Sequence, residues 1–344
     1  MRLPRVKAEE GPAFYHCVSR VVEGRFIFQT TAGGSVEAEH CVGLMRRLEA
    51  FSGVRVLTYA LMSNHFHFLC QVPQAQSLSE LELLERIEAG YGRQRRQALE
   101  RQLARWAEPA PGASQSSQQL LEPYRRRMYD LSSFFKELKG RFAQWYNRRH
   151  ERYGVLWAER FKSVLLEGGQ AVAAVGAYIE LNPVRAGLCA DPKDYRYCGY
   201  AEALAQVRGL AQGRGLAQGR GLAQEGIRTL LAEPATLGWK ELSRRYRQYL
   251  FVKGSVGSPT KGAAFELARA QQVVIHQQGQ LSLAERLRCR IRYFSEGVIL
   301  GSQGFVEAHF HRLEQKLAYK RRRAATPLRA LGSPNLWVFR DLRI

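Results

Sequence analysis

The sequence has no CxxC pair, no long apolar run, and too few acidic residues to balance its basic ones. Its six cysteines (Cys17, Cys41, Cys70, Cys189, Cys198 and Cys289) are scattered. That pattern speaks against a zinc finger or a disulfide scaffold and fits a reduced cytoplasmic compartment. No stretch approaches the ~20 apolar residues needed to cross a bilayer, so no membrane partner is expected. The basic start Met1–Lys7 is not followed by the apolar core of a secretory signal. Only 31 Asp and Glu stand against 52 Lys and Arg, a formal net charge of +21. An Arg-rich excess of this size favours a polyanion, because each cation that meets a phosphate releases condensed counterions. Nucleic acid is the expected partner.

The hydrophobic fraction is 45% over 344 residues, enough for a substantial core and for more than one folding unit. Residues 14–22 read as a strand, Ser35–Phe51 as a helix, Val54–Met62 and His65–Val72 as two strands joined by the turn Ser63-Asn64. Ser77–Trp106 reads as a charged helical insertion and Pro109–Gln119 as a polar linker. Leu131–His150 reads as a long basic helix, Val155–Leu166 as a strand, and Gln170–Leu181 as a helix stopped at Asn182-Pro183. Between Arg125 and Lys162 eleven Lys or Arg face four Asp or Glu. An Arg-Gly-Leu-Ala-Gln repeat begins at 208, 214 and 220, too short a unit for a solenoid, and reads as a duplicated linker. The expected organisation is a catalytic unit over 1–200, a linker over 201–226, and a basic, mainly helical unit over 227–344 that binds DNA.

His-Phe-His occurs at 65–67 and at 309–311. On a strand, residues two apart point to one face, so His65 and His67 can address one metal ion while Phe66 enters the core. His309 and His311 lie in a helical pattern, where two residues apart means about 200° of rotation, and they diverge. Taken alone, His65 and His67 are most plainly two surface histidines, and a metal site needs a third ligand from elsewhere. Tyr178 and Asn182 lie four apart and share a helix face. If that helix packs beside the histidine strand, Asn182 can supply an oxygen ligand and Tyr178 stands next to the metal. Two imidazoles and an amide oxygen leave coordination positions open for a phosphate and admit Mg²⁺ or Mn²⁺, without excluding Zn²⁺. The plainer reading of Tyr178 is packing against the sheet, and that of Asn182 an ordinary helix stop. Tyr146, four residues before His150, is a rival nucleophile, but its basic and aromatic surroundings suit stacking better.

Met62-Ser-Asn-His-Phe-His67, Gly154-Val-Leu-Trp-Ala-Glu-Arg-Phe-Lys-Ser163 and Tyr178-Ile-Glu-Leu-Asn-Pro-Val-Arg-Ala-Gly187 together resemble the HUH single-tyrosine transposases, in particular the REP-associated tyrosine transposase branch. The resemblance covers roughly residues 12–200. It implies an α+β, ferredoxin-like α/β sandwich with an antiparallel sheet. It also implies attack by Tyr178 on single-stranded DNA carrying hairpins, giving a 5′-phosphotyrosine, with Mg²⁺ or Mn²⁺ held by His65, His67 and Asn182. A homodimer and association with the nucleoid through DNA are compatible with it. Charge and aromatic character nominate Arg141, Arg148, Arg149, Trp157, Arg160 and Lys162 as DNA contacts. The competing readings are a non-catalytic DNA- or RNA-binding protein that keeps the fold, a replication- or conjugation-type nickase, and a metal-dependent hydrolase without a covalent intermediate. The chain continues about 150 residues beyond the tyrosine helix, farther than the family's short members, and the Ser77–Leu121 insertion has no assigned role.

Overall fold

The protein is described from a computed structural model, which places residues 6, 11–28, 34–107, 117–207, 221–251, 294, 297–317, 325–327 and 336–339. The elements are β1 (Ala13–Arg20), α1 (Val36–Ser52), β2 (Arg55–Met62), β3 (His65–Val72), α2 (Glu80–Tyr91), α3 (Arg93–Ala107), α4 (Ser117–Arg125), α5 (Leu131–Arg149) and β4 (Lys162–Leu166). There follow α6 (Gln170–Glu180), the single turn α7 (Asn182–Arg185), α8 (Gly199–Val207), α9 (Leu222–Leu231) and α10 (Trp239–Phe251). The last elements are β5 (Ile299–Gly301), α11 (Gln303–Leu317), β6 (Thr326–Pro327) and β7 (Trp337–Phe339). The fold is α+β, with a mixed seven-stranded sheet in the order β2-β3-β1-β4-β5-β7-β6. Among the described strand pairs only β4–β5 is parallel. No described helix is long and apolar enough to cross a membrane.

Local chemistry sets the ends of α1. The Ser35 side chain accepts from the Ala38 N–H at the start, and Gly53 takes a left-handed φ of 74° at the end. Strand β3 alternates sharply. Phe66 and Phe68 turn to one face and stack against Phe135 of α5, at ring centroid separations of 5.9 and 5.8 Å. Burying each such ring contributes about 1.5–3 kcal/mol, which fixes the strand's facing and leaves His65 and His67 on the other side. That second face is covered by α6 and α9, which lie against β2. The contact with α9 depends on Gly226, where an added Cβ would run into the Leu57 carbonyl group. Gly226→Ala is therefore expected to destabilise the protein by about 1–3 kcal/mol through overpacking. Gly140→Ala, in the open interior of α5 with nothing within 4 Å, is expected to stabilise by about 0.5–1 kcal/mol. Denaturant melts of the two variants give the comparison, and a neutral Gly226→Ala would contradict this packing.

The insertion between β3 and α5 forms α2, α3 and α4 around a small core of its own: Leu83, Leu84, Ile87, Leu99, Leu121 and Tyr124 packed on Phe51 of α1. The expected strand over Val155–Leu166 is shorter, starting at Lys162. Upstream of it Trp157 makes only an isolated bridge to Val21. Beyond residue 227 the described chain is not only helical. Strands β5, β7 and β6 extend the same sheet past β4, and Ile227, Leu230, Tyr246, Val306 and Val338 belong to the one main core. Segments of two and three residues carry too little alternation to be seen as strands in sequence. The first two repeat copies lie outside the described residues, as does the basic run Lys320–Arg323. Of the third copy, Leu222–Glu225 form the first turn of α9.

Candidate active site

The site lies on the sheet face opposite Phe66 and Phe68. Val18 of β1 pairs with His67 of β3, and Arg20 with His65. Directly paired residues share a face, so His16, two before Val18, stands diagonally beside His67. The His16 and His67 rings lie 5.1 Å apart, nearly parallel, and the His65 and His67 rings 5.0 Å apart, edge to face. His16 and His67 are buried and His65 half-buried.

Hydrogen bonds orient each ring. His16 Nδ1 lies 2.5 Å from the Phe294 carbonyl oxygen, and His16 Nε2 lies 2.9 Å from His67 Nδ1. His65 Nδ1 lies 2.7 Å from Asn64 Oδ1. The Asn64 amide is itself oriented, because its Nδ2 donates to the Gly24 carbonyl at 3.0 Å. Oδ1 therefore faces His65, which must donate through Nδ1 and keep its lone pair on Nε2. Burial pushes the pKa of His65 down to about 4, with the Arg20 charge adding to the effect. Burial likewise holds His16 at about 4, against the bond to Phe294 and with the help of Arg185. His67 is held well below an ordinary histidine by burial, then by His16, His65, Arg185 and Arg20. The three rings are thus neutral near pH 7 and present lone pairs rather than charge.

Helix α6 brings Tyr178 to this face. The phenol ring lies edge-on to His16 and to His67, each at a centroid distance of 5.9 Å. Phe294 packs edge-on against the same ring at 5.1 Å. Helix α6 ends at Glu180 with Leu181 as its cap, just before Asn182-Pro183 as the sequence predicts. Leu181 keeps helical dihedrals, and Asn182 opens a further single turn in which Pro183 is tolerated because first-turn amides need no partner. Arg185 closes that turn. Its guanidinium carbon sits 4.0 Å over the Tyr178 ring, and it donates to Asn182 Oδ1. The Asn182 Nδ2 is buried without a partner among the described residues. Beneath, the Glu180 carboxyl is wholly buried, accepting from Thr58 Oγ1 and from the Tyr200 N–H, and burial pushes its pKa up to about 7.

His65, His67 and Tyr178 are therefore neighbours on one face, and Asn182 is linked to Tyr178 through Arg185, whereas Tyr146 of α5 stacks on His150 just past that helix at 4.2 Å. Among the described residues no three His, Cys, Asp or Glu side chains form a metal-holding group, since His16 is turned toward His67. Among the described side chains, a third ligand beside His65 and His67 would therefore be an oxygen of another kind, such as that of Asn182. Three residues of the site, His16, Arg185 and Phe294, were not among those nominated from sequence. Arg185 is seven residues after Tyr178, two helical turns on the same face, and His16 shares the strand period of Val18 and Arg20. Phe294 carries no such signal. The second histidine pair does diverge: His309 is buried and bonds to the Phe305 carbonyl at 3.0 Å, while His311 is exposed.

The nominated DNA contacts divide by exposure. Arg148 and Arg160 are exposed. Arg149 pairs at 3.5 Å with Glu37, a largely covered carboxylate that also meets His150, and Lys162 pairs with Glu159 at 3.2 Å nearer the surface, a kind of pair worth little and easily exchanged for a phosphate. Arg141 is half-buried between Glu137 and the Tyr91 ring. Trp157 is half-buried. Its indole N–H donates to the Lys139 carbonyl at 3.0 Å, and its ring packs against Phe66 at 5.5 Å.

No protein-family model and no curated protein matches the chain. Among solved structures, a REP-associated tyrosine transposase bound to a REP hairpin is similar over 61% of this chain and 88% of that one, with 14% identity and a TM-score of 0.37. A likeness of that degree fixes neither the family nor the activity.

Proposed function

We propose that this chain cuts and rejoins single-stranded DNA through Tyr178, as a transposase-type strand transferase acting at hairpin-bearing sites. The observation that carries the proposal is the meeting of a phenol, two histidines whose Nδ1 atoms are both engaged by other partners, and a guanidinium on the phenol's face. The strand order β2-β3-β1-β4, joined through α1 and α5, supports reading the first four strands as a ferredoxin-like sandwich.

Tyr178 Oη would attack a backbone phosphorus. The P–O3′ bond breaks, the 3′ oxygen leaves and gains a proton as the phenol loses one, and the 5′ phosphate stays on the tyrosine. The reverse attack by a 3′-hydroxyl rejoins the strand. One phosphodiester replaces another, so no outside energy source is needed. Arg185 is placed to hold the anionic phosphate against Tyr178 while covering one face of the ring. The edge contacts with His16, His67 and Phe294 restrict the ring's rotation, which favours a single angle of attack.

The donor set suits a hard or borderline divalent cation: two neutral imidazoles, no thiolate, and an Asn182 Oδ1 that keeps a second lone pair beyond its bond to Arg185. His65 and His67 would hold Mg²⁺ or Mn²⁺ through Nε2, with Asn182 as the oxygen ligand. Such an ion would neutralise charge at the phosphate. The basic surface around Arg148, Arg149, Arg160 and Lys162 suits a DNA backbone.

The test is to incubate the protein with labelled single-stranded hairpin DNA from the flanks of its own gene, with Mn²⁺ or with EDTA, and to separate the products on a denaturing gel. A protein–DNA adduct is expected with Mn²⁺, and EDTA or His65→Ala should lower it by on the order of 10²-fold or more. Cleavage without an adduct would replace this reading with a hydrolytic nuclease. Salt-sensitive binding without cleavage would leave a DNA-binding protein.

A further inference from the structure

We propose that His16 is a positioning residue, which holds His67 in the tautomer that turns its Nε2 lone pair outward, and that the Phe294 carbonyl sets the direction of this relay. The inference rests on the reading above for its purpose, but the tautomer itself is a property of the protein without metal or DNA.

The argument starts at Phe294. A carbonyl oxygen can only accept, so the 2.5 Å contact requires that His16 Nδ1 carry a hydrogen. In a neutral ring His16 Nε2 is then an acceptor. It lies 2.9 Å from His67 Nδ1, so that atom must be the donor. The hydrogen of His67 is thereby placed on the inner side of the ring, and its lone pair on Nε2. Asn64 does the same for His65 by an independent route, through an amide held by Gly24. Two histidines two residues apart thus reach one tautomer by different partners. Were His67 to carry its hydrogen on Nε2, its Nδ1 and His16 Nε2 would be two buried acceptors face to face, with a lost hydrogen bond and a repulsive contact.

The arrangement has the form of an outer ligand shell, in which the far nitrogen of a ligating histidine donates to a fixed acceptor. Its acceptor is unusual in being another histidine, locked by a carbonyl 278 residues away in sequence. The same residue packs its ring on Tyr178. The part of the chain beyond the repeat is thereby tied to the catalytic face through Phe294, which touches both the relay and the proposed nucleophile.

The test uses the full-length, metal-free, ¹⁵N-labelled protein and long-range ¹H–¹⁵N correlation of its histidine rings, assigned by single substitutions. His16 and His67 are both expected to carry hydrogen on Nδ1 and a lone pair on Nε2. His67 with hydrogen on Nε2 in the wild type overturns the proposal. Mn²⁺ titration followed by paramagnetic resonance is the second readout. His16→Leu, which removes the acceptor, is expected to weaken Mn²⁺ by about 10–100-fold, whereas His16→Gln, whose Oε1 can accept from His67, should stay within a few-fold of wild type. Equal loss in both variants, or none in either, also overturns it. If His16→Leu does not fold, the wild-type spectrum and His16→Gln decide. If the wild type shows the expected tautomers yet binds no Mn²⁺, the relay stands and the metal reading of the site falls.

Discussion

Tyr178→Phe is expected to abolish covalent capture of DNA and to lower strand cleavage by on the order of 10⁴-fold or more, with almost no change in stability. Removing a nucleophile eliminates the route rather than weakening it, so the loss should be seen at every substrate concentration. The stability half of the expectation follows from geometry. The contacts of Tyr178 with His16, His67, Phe294 and Arg185 are made by its ring, which Phe retains. Arg185→Lys is a useful companion. A lysine keeps one positive charge but lacks the planar group that lies over the ring and donates to Asn182. It should therefore impair cleavage more than DNA binding. Single-turnover gels with the wild type and both variants, beside thermal melts, make the comparison. If Tyr178→Phe cleaved at the wild-type rate, the nucleophile assignment would be wrong, and Tyr178 would be a packing residue on the sheet.

The second large effect concerns stability, at Arg46. Its guanidinium is fully buried and makes a two-pronged contact with Glu202, Nε to Oε1 at 3.0 Å and Nη2 to Oε2 at 2.8 Å. Its Nη1 reaches Glu49 at 2.5 Å and the Val56 carbonyl at 3.3 Å. The other Glu49 oxygen accepts from the Val56 N–H at 2.8 Å. One cation thus serves two buried carboxylates and ties α1, β2 and α8 together. Arg46→Met leaves both acids buried without a counter-charge and is expected to destabilise by about 3–5 kcal/mol, lowering the melting midpoint by roughly 10 °C. The cost comes from stranded charge rather than from the worth of the pair. Arg46→Met combined with Glu49→Gln and Glu202→Leu should accordingly recover most of the loss, because the amide that replaces the Glu49 carboxylate still accepts from the Val56 N–H. A triple variant no more stable than Arg46→Met would show that the guanidinium's packing, not its charge, is what matters.

The residues behind these effects differ in how far a linear reading reaches them. The pairing of His65 with His67 follows from a strand period of two, and the sharing of a face by Tyr178 and Asn182 from helical spacing. Ser35 and Gly53 mark the ends of α1 by chemistry that acts within a few residues. These features are local, and sequence patterns show them. Arg46 is different. In sequence it is one arginine among many in a helix, and only the approach of Glu202 from α8, 156 residues on, makes it a buried ion. Trp157 is similar: no local pattern shows that its indole N–H bonds to the Lys139 carbonyl or that its ring meets Phe66 edge to face.

The sequence by itself determined the net charge, the caps and periods of the long elements, and the facing of His65 and His67, because each depends on composition or on neighbours within a turn or a strand. Only the tertiary structure decided that β5, β7 and β6 extend the sheet, that Arg185 covers Tyr178, and that Phe294 reaches His16. Those outcomes depend on which strand edge is left to pair and on which buried polar groups must find partners. A hydrogen bond across 278 residues leaves no periodic trace in the chain, since its cause is the satisfaction of a buried ring nitrogen by whatever backbone the fold brings there.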